Sequence, residues 1–84
     1  MYIVPKPVEI KILEDYKIWL KFENGEQKIF NMEKYMQEKF YQKLRNRKYF
    51  QNVKISGNTI EWENGEDVAP ENLYYDSILE KECK

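Results

Sequence analysis

The dipeptide Asn-Gly occurs twice in this chain, at Asn24-Gly25 and Asn64-Gly65, and each time it ends a run of alternating apolar and polar residues. Alternation of period two marks a strand buried on one face. Asn-Gly reverses such a strand readily because both residues accept positive φ. A chain punctuated in this way is committed to antiparallel hairpins. At an offset of 40 residues, Leu20-Lys21-Phe22-Glu23-Asn24-Gly25-Glu26 matches Ile60-Glu61-Trp62-Glu63-Asn64-Gly65-Glu66, and Tyr35 falls on Tyr75. Two copies are too few for a stacked-repeat architecture, so the echo is one turn chemistry used twice.

Before the first turn, Val8, Ile10 and Ile12 alternate with Glu9 and Lys11, and Ile18, Leu20 and Phe22 alternate with Trp19 and Lys21. Glu14-Asp15-Tyr16 separates these two strands, and a third runs from Glu26 to Phe30. A two-residue turn would set Glu23 against Glu26 and Lys21 against Lys28. A three-residue loop, Glu23-Asn24-Gly25 with Gly25 left-handed, shifts the register and separates both like-charged pairs. The bulged loop is therefore expected.

Asn31 suits a helix N-cap and Glu33 its first turn, and Met32, Tyr35, Met36, Phe40 and Leu44 recur at spacings of three and four, giving one apolar stripe to pack on the sheet. Val53 and Ile55, then Ile60 and Trp62, flank a turn at Ser56-Gly57-Asn58. Pro70 opens a final helix in which Leu73, Tyr74 and Ile78 are candidates for burial. The expected architecture is α+β, a small antiparallel sheet in the order β-β-β-α-β-β followed by a short strand or helix, with one main amphipathic helix on one face. A single domain over residues 1–79 and a frayed polar tail over residues 80–84 complete it.

Composition limits the chemistry. Eighty-four residues support one core, and thirteen aromatics supply much of its area. With no His and a single Cys, the chain has no His-based general base, no catalytic triad and no Cys/His zinc site of its own. Glu61 and Glu63 share a strand face, but such alternation is ordinarily a solvated face, and nothing in the sequence splits the two pKa values. No EF-hand spacing is present. Cys83 lies alone in the polar tail, where it is expected to be inert. No apolar run reaches the length of a membrane span, and no secretory leader pattern opens the chain, so a soluble cytoplasmic protein without a cofactor is expected.

The net charge of −1 conceals a segregation. Residues 39–60 carry Lys39, Lys43, Arg45, Arg47, Lys48 and Lys54 and no acid. Residues 61–84 carry eight acids against Lys81 and Lys84. Lys43, Arg45, Arg47 and Lys48, interleaved with Tyr41 and Tyr49, form a candidate surface for phosphate contact and base stacking. The same cations also suit the C-terminal end of a helix, and the acidic pI lacks the basic footprint of a nucleic-acid-binding domain. Trp19 is the other conspicuous residue. With Ile18, Leu20 and Phe22 facing the helix, it falls on the opposite sheet face, to be covered by the final helix or by another chain.

The combination Phe22-Glu23-Asn24-Gly25-Glu26, Phe30-Asn31, Phe40, Phe50-x-x-Val53, Ile60-Glu61-Trp62-Glu63-Asn64-Gly65-Glu66-Asp67 and Pro70-Glu71-Asn72-Leu73-Tyr74 resembles the bacterial family called domain of unknown function 2442. The resemblance runs from about Pro5 to Tyr75. It departs at Glu63, where proline is expected, and at Asn31, where aspartate is expected, and neither change threatens the fold. It implies a small α+β domain with an antiparallel sheet, without an assigned activity or site residues to carry over. It also implies pairing with another small protein encoded nearby, as the neutralising half of a toxin–antitoxin-like pair. The expected function is a non-enzymatic protein-interaction module whose candidate partner surface includes Trp19, Tyr41 and Tyr49, with another small protein or a second copy as partner. The alternative is a nucleic-acid-binding module using Lys43, Arg45, Arg47 and Lys48.

Overall fold

The computed structural model describes residues 4–82. Strands β1 (Pro7–Ile12), β2 (Lys17–Phe22), β3 (Gln27–Asn31) and the short β6 (Ile78–Leu79) form an antiparallel sheet in the order β1-β2-β3-β6. Strands β4 (Lys54–Ser56) and β5 (Thr59–Glu61) form a separate hairpin. The α+β class and the antiparallel sheet follow the alternation seen in the sequence.

The β2–β3 connection is the bulged loop. Leu20 pairs with Lys28 and Trp19 with Ile29. Phe22 N–H donates to the Glu26 carbonyl at 2.9 Å, Gly25 N–H donates to the Phe22 carbonyl at 2.9 Å, and Gly25 has φ of 89°. The second Asn-Gly repeats this geometry. Trp62 N–H donates to the Glu66 carbonyl at 2.8 Å, Gly65 N–H to the Trp62 carbonyl at 2.9 Å, and Gly65 has φ of 98°. The β1–β2 turn is less expected, because Asp15 and Tyr16 occupy the left-handed region without glycine, at φ of 58° and 59°. Tyr16 is held there by its hydroxyl, which donates to the Arg45 carbonyl at 2.7 Å, by the edge of its ring on Phe50 at 5.2 Å, and by its carbonyl, which accepts Met32 N–H.

The continuous amphipathic helix expected after Asn31 is absent. Asn31 caps as anticipated, accepting Glu33 N–H at 3.0 Å, but the chain then forms a 3₁₀ turn at Met32–Tyr35 and a second 3₁₀ segment at Lys39–Arg45. The one-turn helix α1 (Arg47–Phe50) follows. The backbone is extended at Glu38 and Asn46, with ψ of 140° and 114°. Two causes act together. Tyr35, Phe40, Tyr41 and Asn46 are weak helix formers. The Met36 carbonyl, which the broken helix would leave unpaired, accepts from Gln42 Nε2 at 2.8 Å and Arg45 Nη2 at 3.3 Å. Met32, Met36 and Leu44 still reach the core, whereas Phe40 is 56% exposed rather than part of the buried stripe.

Helix α2 (Pro70–Tyr75) begins at Pro70 as its sequence predicts, and Leu73 is buried. The core joins Ile18, Leu20, Phe22 and Phe30 of the sheet to Met32, Met36, Leu44, Phe50, Ile60, Trp62, Val68 and Leu73. Thus the 3₁₀ segments, α1, the β4–β5 hairpin and α2 all pack on one face of the sheet. Two other expectations of burial are corrected. Val8 is 51% exposed because the β1–β2 register shifts between Pro7 and Glu9, leaving Val8 as the extra residue of a bulge. Ile78 is 49% exposed because it pairs with Ile29, on the face away from the core. At the C-terminal end, Glu80–Glu82 form a 3₁₀ turn, while Cys83 and the end of the expected tail lie outside the described residues.

Candidate functional site

Strand register decides what the outer face of the sheet presents. Ile18, Leu20 and Phe22 point into the core, so Lys17, Trp19 and Lys21 point out. Lys11 and Ile29 pair with Trp19 from its two sides, and Ile78 pairs with Ile29. One row across all four strands therefore reads Lys11, Trp19, Ile29, Ile78. Next to it, Glu9, Lys21 and Gln27 form a second row. Leu13, just past β1, is 38% exposed, and a shallow trough of about 290 Å³ is lined by Lys11, Leu13, Trp19, Gln27 and Glu80. The final helix does not cover Trp19, since Leu73 anchors α2 to the opposite face.

The charges around the row are mostly positive. Lys11 Nζ lies 5.5 Å from the centroid of the Trp19 ring, a cation–π contact. Lys21 reaches Glu9 at 3.8 Å, an exposed pair of little energetic weight. The inner face holds the opposite exception. Lys28 is only 8% exposed, donates from Nζ to the Tyr74 carbonyl at 2.6 Å, and sits 3.9 Å from the centroid of the Tyr74 ring. Burial lowers its pKa, against a weaker opposing pull from Glu26. Glu26 in turn is held below the usual carboxylate range by hydrogen bonds from the Tyr74 hydroxyl and the Asn24 amide.

Of the residues singled out in the sequence, only Trp19 lies on this face. Tyr41 is on the core side, where its hydroxyl donates to the Asp67 carbonyl at 2.9 Å and its ring meets Tyr35 edge-on at 6.1 Å. Tyr49 clasps the second Asn-Gly turn, donating to Glu66 Oε1 at 2.5 Å and accepting Asn64 N–H at 2.8 Å. The structure does not bring Trp19, Tyr41 and Tyr49 together. Lys43, Arg45, Arg47 and Lys48 are all exposed around the junction of the second 3₁₀ segment and α1, and Asn46 caps α1 there by accepting Lys48 and Tyr49 N–H. Arg47 lies 5.9 Å from the Tyr16 ring centroid at a cleft of about 470 Å³, lined also by Ile12, Leu13, Glu14, Phe50 and Gln51.

Sequence reasoning missed Ile29, Ile78 and Leu13 as companions of Trp19. The bulged register carried the signal for Ile29, because that register sets it directly opposite Trp19. Ile78 was not recoverable, since β6 is two residues long and its pairing depends on where α2 ends. Among the described residues no group of three or more His, Cys, Asp or Glu side chains is placed to hold a metal ion, and no helix is long and apolar enough to cross a membrane.

No curated protein and no solved structure matches the chain significantly. A family model does, that of a protein of unknown function (DUF2442), over residues 7–78, from the start of β1 into β6. The matched span contains both Asn-Gly turns, the core and the Trp19 row, and the chain belongs to the DUF2442 family.

Proposed function

We propose that this protein is a non-enzymatic interaction module of the cytoplasm that binds another small protein through the open face of its sheet. The observation that carries this reading is the register-matched outward row Trp19, Ile29, Ile78, in which Ile78 is exposed and Trp19 and Ile29 are half-buried, while α1, α2, the first two 3₁₀ segments and the second hairpin pack on the other side. An antiparallel sheet with one solvated face normally turns polar side chains to water, and tryptophan is enriched where interfaces gain their energy. The gene pairing implied by the family resemblance supplies a setting, a toxin–antitoxin-like pair in which this chain is the neutralising half. Tagged wild-type protein and Trp19→Ser, each recovered from the native cell at physiological salt, test the reading. One stoichiometric small protein retained by the wild type and lost from the variant is expected. Its recovery with both, or with neither, overturns the proposal.

The exposed cluster Lys43, Arg45, Arg47 and Lys48 supports a second reading, nucleic-acid binding around the junction of the second 3₁₀ segment and α1. It requires an affinity that falls steeply with salt and weakens on charge reversal at Arg47 and Lys48. Binding that is absent or independent of salt rejects it.

A further inference from the structure

We infer that the occupant of the open face is an extended acidic segment of the partner, with apolar side chains on Trp19, Ile29 and Ile78 and carboxylates on Lys11, Lys17 and Lys21. This rests on the docking reading above and specifies its chemistry. Three observations carry it: size, charge and the failure of a second copy to fit.

Three strands of five or six residues at about 3.3 Å each and about 4.8 Å apart, with the two-residue β6 beside them, give the face a footprint on the order of 300 Å². A stable protein–protein interface takes about 800 Å² from each partner, so the face is too small for a globular surface on its own and matches one extended segment. The trough beside Trp19, about 290 Å³ in volume, has room for a large apolar side chain of that segment.

Charge selects the sign. Lys11, Lys17 and Lys21 border Trp19 on β1 and β2, and only Lys21 has an acid, Glu9, within ion-pair distance among the described residues. The one acid lining the trough is Glu80, against Lys11 in the same lining. Carboxylates spaced along an extended peptide can reach these lysines while alternate side chains enter the apolar row. Nucleic acid fits less well, because Ile29 and Ile78 offer nothing to phosphate, whereas alternate apolar side chains of a peptide can occupy them.

A second copy is disfavoured by the same register. Aligned sheets packed face to face through a twofold along the strands set β1 over β6 and bring Glu9 against Glu80. A twofold across the strands sets each strand over its own copy and brings Lys11 against Lys11 and Lys21 against Lys17. Both arrangements put like charges in contact around a small apolar centre.

The test is selection of a displayed random-sequence peptide library against the purified full chain, with binding of the selected peptides measured for the wild type, Trp19→Ser and the triple variant Lys11→Glu, Lys17→Glu, Lys21→Glu. Circular dichroism establishes that each variant is folded, and Lys17→Gln alone serves as a milder variant if the triple one is not. The expected result is a set of acidic peptides with alternating apolar residues, which lose at least about tenfold in affinity on Trp19→Ser and on charge reversal, and weaken with added salt. Neutral or basic peptides that still depend on Trp19 overturn the acidic assignment and leave the docking face standing. Peptides indifferent to Trp19→Ser, or no peptides at all, overturn both. A single-stranded oligothymidylate that binds the wild type and loses binding on Trp19→Ser assigns the face to nucleic acid, and dimerisation lost on Trp19→Ser assigns it to a second copy. Either outcome refutes the inference.

Discussion

The two tryptophans give a direct test of which sheet face is core and which is open. Trp62 is 1% exposed, stacks on Phe50 with centroids 5.7 Å apart, and donates from Nε1 to the Phe50 carbonyl at 2.9 Å. Trp62→Phe removes that donor and leaves a smaller ring. The buried carbonyl left without its partner costs about 1–3 kcal/mol. Incomplete filling of the indole's space adds about 1–2 kcal/mol. A total of about 3 kcal/mol is a large share of the roughly 4–12 kcal/mol expected for a chain of this length, and it lowers Tm by about 10–20 °C. Trp19 is half-buried, and Phe in its place keeps the cross-strand contacts to Lys11 and Ile29. Trp19→Phe therefore costs less than about 1 kcal/mol. Urea unfolding followed by far-ultraviolet circular dichroism measures both without relying on either indole. The variants also isolate each chromophore: Trp19 alone should emit at longer wavelength and be quenched by acrylamide, whereas Trp62 alone should be shielded. Equal destabilisation by the two substitutions, or a Trp62→Phe cost under about 1 kcal/mol, would refute the assignment of faces.

Gly25→Ala and Gly65→Ala should each cost about 1 kcal/mol and agree closely with one another, because both glycines sit at positive φ in the same turn and an added Cβ meets nothing within 4 Å. Urea midpoints that differ by the equivalent of more than about 1 kcal/mol would show that the two turns are not energetically alike. Asn46→Ala removes the cap that receives Lys48 and Tyr49 N–H and should cost about 1 kcal/mol; an unchanged urea midpoint counts against it. Burial and then the Asp76 carboxylate push the Tyr35 hydroxyl up to about 12. An unfolded tyrosine ionises near 10, so the stability Tyr35 contributes is complete below about pH 10 and lost as pH rises toward 12, amounting to no more than about 1 kcal/mol after solvent screening. Tyr35→Phe should flatten that alkaline loss, and an identical slope in both proteins would exclude Tyr35 as its source.

The hairpins were legible because their determinants are local. Like charges at Glu23/Glu26 and Lys21/Lys28 ruled out the tight turn, and Gly25 could take the left-handed residue of the looser one. The segment after Asn31 departs from its sequence pattern for the converse reason. Its apolar spacing is helical, but Tyr35 stacks on Phe30 at 5.5 Å and bonds to Asp76, Tyr41 reaches Asp67, and Gln42 occupies the Met36 carbonyl. These partners are distant in sequence or depend on the break itself, so periodicity could not register them. Aromatic residues were legible as a surplus but not as positions. Tyr41 and Tyr49 proved to be clasps between segments, which their neighbours in sequence do not indicate.

Adjacent residues on β3 break the polarity rule in opposite senses, and the contrast separates what the fold requires from what it does not. Phe30 is fully buried, and the bulged loop fixes its register, so position 28 must point in and position 29 must point out. Burying Lys28 is accommodated by the Tyr74 carbonyl and ring and places an inward charge beside the short edge strand β6, a feature that discourages edge-to-edge pairing. No comparable structural reason applies to Ile29. The register dictates that its side chain lies on the outward face but not that it be isoleucine, and the same is true of Trp19 and Ile78, which it joins across three strands. A lysine or threonine at any of the three would leave the core, the turns and the pairing intact. Apolar residues at three register-matched outward positions are therefore surplus to folding, and a surface that folding does not need is where binding chemistry is to be sought.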